Sequence, residues 1–380
     1  MYKRCLVFAA AIAFWMGCFA QEGFRYKQLP AVYNTTSIAA ASAKQAMATS
    51  AGTAFDATSS LPSGYVKDGS ADYTQQLQNA INGHNIVKMP DFPVMINDKG
   101  LLLKSNSTLI FQPNSKLILQ GTDKGKYAML KLLNVQHVNI YSPVLVGDKD
   151  NHKGSGGEWG MGIDVRGSSD VNIYHPQVSK CWGDGLYIGQ AGKDNTNNNI
   201  NVYYAAMDDN RRNGITIGSV KGLKLIKPVV SNTSGTLPMC GIDIEPNSPD
   251  DMIDDIDIDQ PVTYNNGKYG LVIGLARLPG PAQKQVNITI NKHTDDGSPT
   301  GFWMGGTDAN YTPADKPLAG NIQVIDPVWK NNSMPFKGGK TYDFAPPSKF
   351  RNVSIMKQGG VNEVDKIKRA QANKKNLDID

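Results

Sequence analysis

Cysteine is scarce, with four in 380 residues, and two of these, Cys5 and Cys18, fall within the first twenty positions. Further along only Cys181 and Cys240 remain, so the chain does not depend on disulfides and both thiols are expected to be buried and free. Long apolar runs are missing beyond residue 20, and nothing there approaches the roughly 20 residues a membrane-spanning helix requires. Charge of one sign is not in large excess either. Setting aside Lys3 and Arg4 lowers the formal charge from +5 to +3, and much of the basic remainder lies between Lys366 and Lys375. No nucleic-acid footprint follows from that distribution. Helical periodicity is also absent from the body of the chain, which excludes helical repeats.

The first twenty residues stand apart. Lys3 and Arg4 precede an apolar stretch from Leu6 to Phe19, and Cys18-Phe19-Ala20 places small residues at a cleavage site before Gln21. This is the pattern of a signal peptide over residues 1–20, and it implies export to the periplasm or the extracellular space. Lipid anchoring at Cys18 is the alternative, although Trp15-Met16-Gly17 matches poorly what precedes a lipidated cysteine.

Two short patterns recur and alternate through the remainder. One is an alternating strand, as in Val138-Asn-Ile-Tyr, Val171-Asn-Ile-Tyr, Leu223-Lys-Leu-Ile and Ile256-Asp-Ile-Asp, with Pro143, Pro176, Pro228, Pro261 and Pro327 each five positions after a strand start. The other is glycine followed by apolar-x-apolar, beginning at Gly162, Gly185, Gly214, Gly241, Gly270 and Gly301. These glycines are 23, 29, 27, 29 and 31 residues apart, the period of a coil built from short strands and turns. Period-two alternation sends Ile163, Val165, Ile242 and Ile244 inward and Asp164 and Asp243 outward. The sequence therefore predicts an all-β, single-stranded right-handed parallel β-helix over residues 65–360. A short amphipathic helix in Asp72–Asn82 would cap it, an Ala/Ser/Thr-rich linker would occupy 21–64, and a basic tail 361–380.

Stacked rungs turn distant positions into one surface. Aligning the glycine strands gives an outward row of Asp164, Tyr187, Thr216, Asp243, Val272 and Trp303, and a second row that begins with Arg166 and includes Glu245. The position before each glycine holds Met161, Asp184, Asn213, Cys240, Tyr269 and Thr300. Glu158, Trp159, Trp182, Arg211 and Arg212 flank the same rungs, and aromatic faces beside charged hydrogen-bonding groups are what a sugar-binding groove requires. Outward polarity has a plainer reading, since such positions face water. Asp243 and Glu245, two apart on one strand, lie roughly 6.5–7 Å apart on one face, near the lower end of the ~6.5–9.5 Å between the carboxyls of inverting glycoside hydrolysis. Glu245 could instead cap the Pro246-Asn247 turn, and Asp184 before Gly185 could be ordinary turn chemistry. Asp250-Asp251 and Asp254-Asp255 are more often solvated acidic loops than a calcium site.

Three stretches, Gly162-Ile-Asp-Val-Arg-Gly-Ser-Ser-Asp-Val-Asn-Ile, Trp182-Gly-Asp-Gly-Leu-Tyr-Ile-Gly and Arg212-Asn-Gly-Ile-Thr-Ile-Gly-Ser, resemble consecutive catalytic rungs of the polygalacturonase family, within the pectin lyase-like superfamily. The resemblance runs broadly from residue 65 to 355 and implies a parallel β-helix with glycan-cleaving activity. Of that family's catalytic positions only Asp184 is matched. Met161 stands where an aspartate is expected, Gly183 replaces one of a pair of aspartates, and Asn213 replaces a histidine.

Taken together, the residues lead to an exported glycoside hydrolase or polysaccharide lyase acting on an acidic or uronate-containing glycan in a groove along the β-helix. Asp184, Asp243 and Glu245 are the candidate catalytic groups. Glu158, Trp159, Asp164, Arg166, Trp182, Tyr187, Arg211, Arg212 and Asn213 are the candidate substrate contacts. A non-catalytic glycan-binding or adhesion β-helix is the reading from another class.

Overall fold

The structure, a computed structural model, describes residues 23–48, 53–307, 311–356 and 363–380. The leader predicted at 1–20 lies outside the described residues. Each coil of the chain lays down three short strands, and successive coils stack in parallel, giving sheets of 12, 9 and 10 strands among the described residues. The result is a right-handed β-solenoid of about 10 turns. No helix among the described residues is long and apolar enough to cross a membrane.

The two sequence patterns build two of the three faces. Strands of the proline pattern, such as Gln136–Tyr141, Ser169–Tyr174 and Ile253–Asp259, form the 12-stranded sheet. After each of them the chain turns a corner through a residue in the left-handed region: Ser142, His175, Lys227, Gln260 and Asp326 have φ between 49° and 52°. Proline follows at the corner, where its missing N–H takes nothing from a ladder. Its carbonyl is used, for Gln177 N donates to Pro143 O at 2.8 Å and Val262 N to Pro228 O at 2.8 Å.

The glycine strands form the 9-stranded sheet, and space explains their glycines. A Cβ at Gly241 would lie 2.6 Å from the carbonyl oxygen of Gly270, and one at Gly270 would lie 2.5 Å from that of Gly301. Larger residues at these places would force the rungs apart. The inward residues that follow, including Ile163, Leu186, Ile215, Ile242, Leu271 and Phe302, are all fully buried in one continuous core. Full burial of a side chain of this size stabilises by about 1.5–3 kcal/mol.

Both ends are closed. Helix α2 (Thr74–Gly83) lays Leu77, Ala80 and Ile81 over the first rung, where the amphipathic spacing places it. At the other end Leu377–Ile379 adds a strand beside Ser348–Arg351, and Arg351 pairs with Asp378 at 2.7 Å and Asp380 at 3.0 Å. The terminal strand thus covers an edge that would otherwise present unpaired backbone groups. Where composition predicts a linker, the chain forms helix α1 (Thr36–Ala48) and a strand, Phe55–Asp56, that joins the 12-stranded sheet. Ala39 and Ala43 are buried in α1. Small side chains allow that close approach, which a count of large apolar residues overlooks. Cys181 and Cys240 are free and buried.

One stack departs from an apolar interior. Along the 10-stranded sheet the inward positions run Leu145, Val178, Met207, Val230, Thr263, Asp295, Trp329 and Ile355. Asp295 accepts from Thr263 Oγ1 at 2.7 Å, Ser298 Oγ at 2.7 Å and Asn332 Nδ2 at 2.5 Å, and burial pushes its carboxyl up to about 7. A carboxyl raised in the folded state contributes stability that is complete below its unfolded pKa and is lost as pH rises through about 7. The neighbouring His293 is held down to about 3 by burial, which gives a slope of opposite sign. Asp295→Asn should therefore cancel the decline in thermal midpoint between pH 4 and 8 that belongs to Asp295 and leave the His293 contribution. Parallel midpoint curves for wild type and variant would contradict a raised Asp295.

Candidate active site

The rows inferred by aligning the glycine strands are the observed registers. Asp164 pairs with Tyr187, Tyr187 with Thr216, Thr216 with Asp243, Asp243 with Val272 and Val272 with Trp303. These side chains form a line along the outer face of the 9-stranded sheet, spaced at the roughly 4.8 Å of adjacent strands.

Beside the middle of the line Arg212 lies within 4.0 Å of three carboxylates. Its Nε donates to Glu158 Oε2 at 3.0 Å, its Nη1 lies 3.1 Å from Asp184 Oδ2, and its Nη2 lies 3.9 Å from Glu245 Oε2. The Asp243 charge also acts on Arg212 and, with the others, holds the guanidinium above its usual range. One cation cannot balance four anions in a partly dry site, and the environments of the carboxylates differ accordingly.

Asp184 is 0 % exposed. It accepts from Arg212 Nη1, Asn213 N at 3.1 Å and Thr216 Oγ1 at 2.7 Å, bonds that favour its ionised form against the desolvation raising its pKa. Asp243 is 1 % exposed and accepts from Asn213 Nδ2 at 3.1 Å. Desolvation, then the Glu245 charge, pushes its carboxyl well above the ordinary carboxylate range. Asn213 links the two. Its Oδ1 accepts from Cys240 N at 3.1 Å, which turns the amide nitrogen toward Thr216 and Asp243. Glu245, just past the end of the strand Cys240–Ile244, keeps 41 % of its side chain exposed and reaches solvent. The Pro246-Asn247 turn is capped by Asp251 instead, which accepts from Asn247 N at 2.7 Å and Ser248 N at 3.0 Å.

The other expected contacts fall into two neighbouring sets. Arg166 is ion-paired to Asp164 at 2.8 Å and lies 4.4 Å from the centre of the Tyr187 ring. That ring occupies room left by Gly189, whose Cβ would meet it at 2.3 Å. Trp182 stacks on His152 at 3.8 Å and carries the Arg211 guanidinium at 3.7 Å. Two groups so close cannot share one face of the indole, so both faces are covered. Trp182 is therefore not an open platform for a sugar, whereas Trp159, 50 % exposed, is an uncovered aromatic. All three arginines expected to bind substrate carboxylates are already engaged by protein groups. Sequence reasoning missed Thr216 as a donor to Asp184, although its place in the outward row beside Asp243 was visible.

No family model matches the chain. It is 23% identical over 233 residues to the uncharacterized protein YclG of Bacillus subtilis (strain 168), a match covering 53% of this chain and 39% of that one. The chain thus spans well under half the length of that curated relative. Among solved structures it is similar to a polygalacturonase from Erwinia carotovora ssp. carotovora, with TM-score 0.58 and 12% identity over 83% of this chain and 95% of that one. It is similar also to an iota-carrageenase complexed to iota-carrageenan fragments, with TM-score 0.57 and 10% identity over 80% and 88% of the two chains. At such identities the likeness is one of fold: the chain is a parallel β-helix, the fold it shares with that polygalacturonase and that carrageenase.

The Arg212–Asp184 pair makes a direct stability prediction. Taking one partner from a buried ion pair strands the other charge, at about 3–5 kcal/mol. Arg212→Gln should lose that much in chemical denaturation, and adding Asp184→Asn should restore part of it. A loss no larger for Arg212→Gln than for an exposed lysine would show that Asp184 does not depend on the pair.

Proposed function

We propose that this protein is an exported enzyme that hydrolyses an acidic glycan laid along the 9-stranded face, with Asp243 as general acid and Glu245 as general base. The observation that carries the reading is the division between two carboxyls two residues apart, Asp243 on the strand Cys240–Ile244 and Glu245 just past its end. Asp243 is buried, with its carboxyl raised well above the usual range, while Glu245 stands partly in solvent. Paired carboxyls whose environments separate their protonation are what acid–base cleavage of a glycosidic bond needs. The i, i+2 placement sets their backbone positions roughly 6.5–7 Å apart, which leaves room for a water between base and sugar.

Asp184 takes another role in this reading. It has no exposed surface and its oxygens are occupied, so it positions Arg212 and Thr216 rather than touching substrate. Elimination, the alternative chemistry, requires a cation free to neutralise enolate-like charge. Arg212 is engaged by Glu158 and Asp184, which favours hydrolysis. Asp243 is nearly enclosed, so the acid step requires neighbouring side chains to shift when a substrate settles over it. Export rests on the leader-like residues 1–20.

Incubation with a panel of uronate-containing and sulfated glycans tests the reading. New reducing ends without the ultraviolet absorbance of unsaturated uronates are expected. Absorbance rising in step with reducing ends would replace hydrolysis by elimination, and binding without cleavage of any glycan would favour the non-catalytic reading. Glu245→Gln and Asp243→Asn should each lower turnover by about 10²-fold or more with little change in thermal midpoint. Because the acid must be protonated, wild-type turnover should fall as pH rises through the raised Asp243 pKa.

A further inference from the structure

Outside the solenoid core lies a second, small apolar cluster. Cys240, Tyr269 and Val272 are buried together, with Trp303 packed against them. Val272 and Trp303 belong to the outward row, so this cluster sits on the same face as Asp243 and continues its line. Trp303 is two rungs beyond Asp243, about 10 Å, and Lys337, paired with Trp303, is three rungs beyond, about 14 Å.

The cluster is rimmed by cations. The Trp303 and Tyr269 rings stack with centres 5.0 Å apart. Lys337 Nζ lies 4.6 Å from the Trp303 ring centre and donates to Tyr269 Oη at 3.4 Å. Lys268 Nζ lies 5.1 Å from the Tyr269 ring centre. Among the described residues no carboxylate comes within 4.0 Å of either ammonium. This is the reverse of the situation at Arg166 and Arg212, whose charges are committed to carboxylates.

We propose that Lys268 and Lys337, beside the partly exposed Trp303, form a distal subsite for an anionic sugar unit whose carboxylate or sulfate takes the Lys337 ammonium, while the buried Tyr269 holds Trp303 and Lys337 in place. The inference builds on the glycan reading above and assigns the anion recognition that the engaged arginines leave open. Uncommitted charged donors converging beside a partly exposed aromatic suit a charged saccharide. Ring and cation pre-place the site, since the ammonium already rests against the aromatic faces. A charge-assisted hydrogen bond to the anion then supplies selectivity over neutral sugars.

Affinity electrophoresis through gels containing polygalacturonate, iota-carrageenan or neutral galactan tests the subsite without requiring cleavage. Lys337→Gln should weaken retention by at least one anionic polymer about tenfold, the worth of one charge-assisted bond, and leave retention by galactan unchanged. Trp303→Ala should weaken it as well. A response confined to polygalacturonate identifies a carboxylate, and one confined to carrageenan a sulfate. Retention of the Lys268→Gln/Lys337→Gln protein within about twofold of wild type on both anionic gels would overturn the subsite, as would failure of wild type to bind either. If retention depends on Lys337 while wild type cleaves nothing, the subsite stands and the enzymatic reading falls.

Discussion

Everything on the outer face follows from a one-to-one register between coils. Each strand pairs in parallel with its counterpart, so a residue at a given place in one rung lies one strand spacing from its counterpart in the next. The glycine that opens each strand maintains that spacing, because at Gly241 and Gly270 any side chain would strike the carbonyl of the following rung. The left-handed corner before proline maintains it between sheets. With both fixed, loops can vary in length, as the uneven glycine intervals require, while the strands remain aligned.

The candidate site exploits that alignment to crowd charge. Asp184, Arg212, Asn213 and Asp243 come from three successive coils, and Glu158 from the coil before them. Burial raises the carboxyls of both Asp184 and Asp243; Arg212 and Thr216 oppose the rise at Asp184, whereas the Glu245 charge adds to it at Asp243. A buried ion pair is weak evidence of net stabilisation. Here it offsets burial at Asp184 more directly than at Asp243, so carboxyls that look alike in sequence meet different surroundings. Farther along the same row the aromatic cluster and its lysines reverse the local charge, so the face changes from acidic to cationic along the helix axis.

Much of this was legible in the sequence. The period of the glycines gave the solenoid, and alignment of the glycine strands gave the outward row residue by residue, because the parallel register leaves no other arrangement. What was not legible depends on side-chain direction. Trp182 reads as a sugar platform, yet His152 and Arg211 cover it. Asp184 matches a catalytic position of the polygalacturonases, yet its oxygens are consumed by Arg212, Asn213 and Thr216. The Ala-rich segment reads as a linker, yet Ala39 and Ala43 are buried where the helix approaches the solenoid. Short motifs show which backbone positions share a face, but not which neighbour a side chain satisfies.

Burial and the Glu245 charge together push Asp243 toward its protonated form. Infrared difference spectroscopy of wild type against Asp243→Asn at neutral pH reads this directly, because a protonated carboxyl and a carboxylate absorb separately. The account predicts a carboxylic-acid band in wild type that disappears in the variant, while the spectrum of Glu245→Gln retains it. Loss of a carboxylate band instead, with the acid region unchanged, would mean that Asp243 is ionised and that this strand does not divide acid from base.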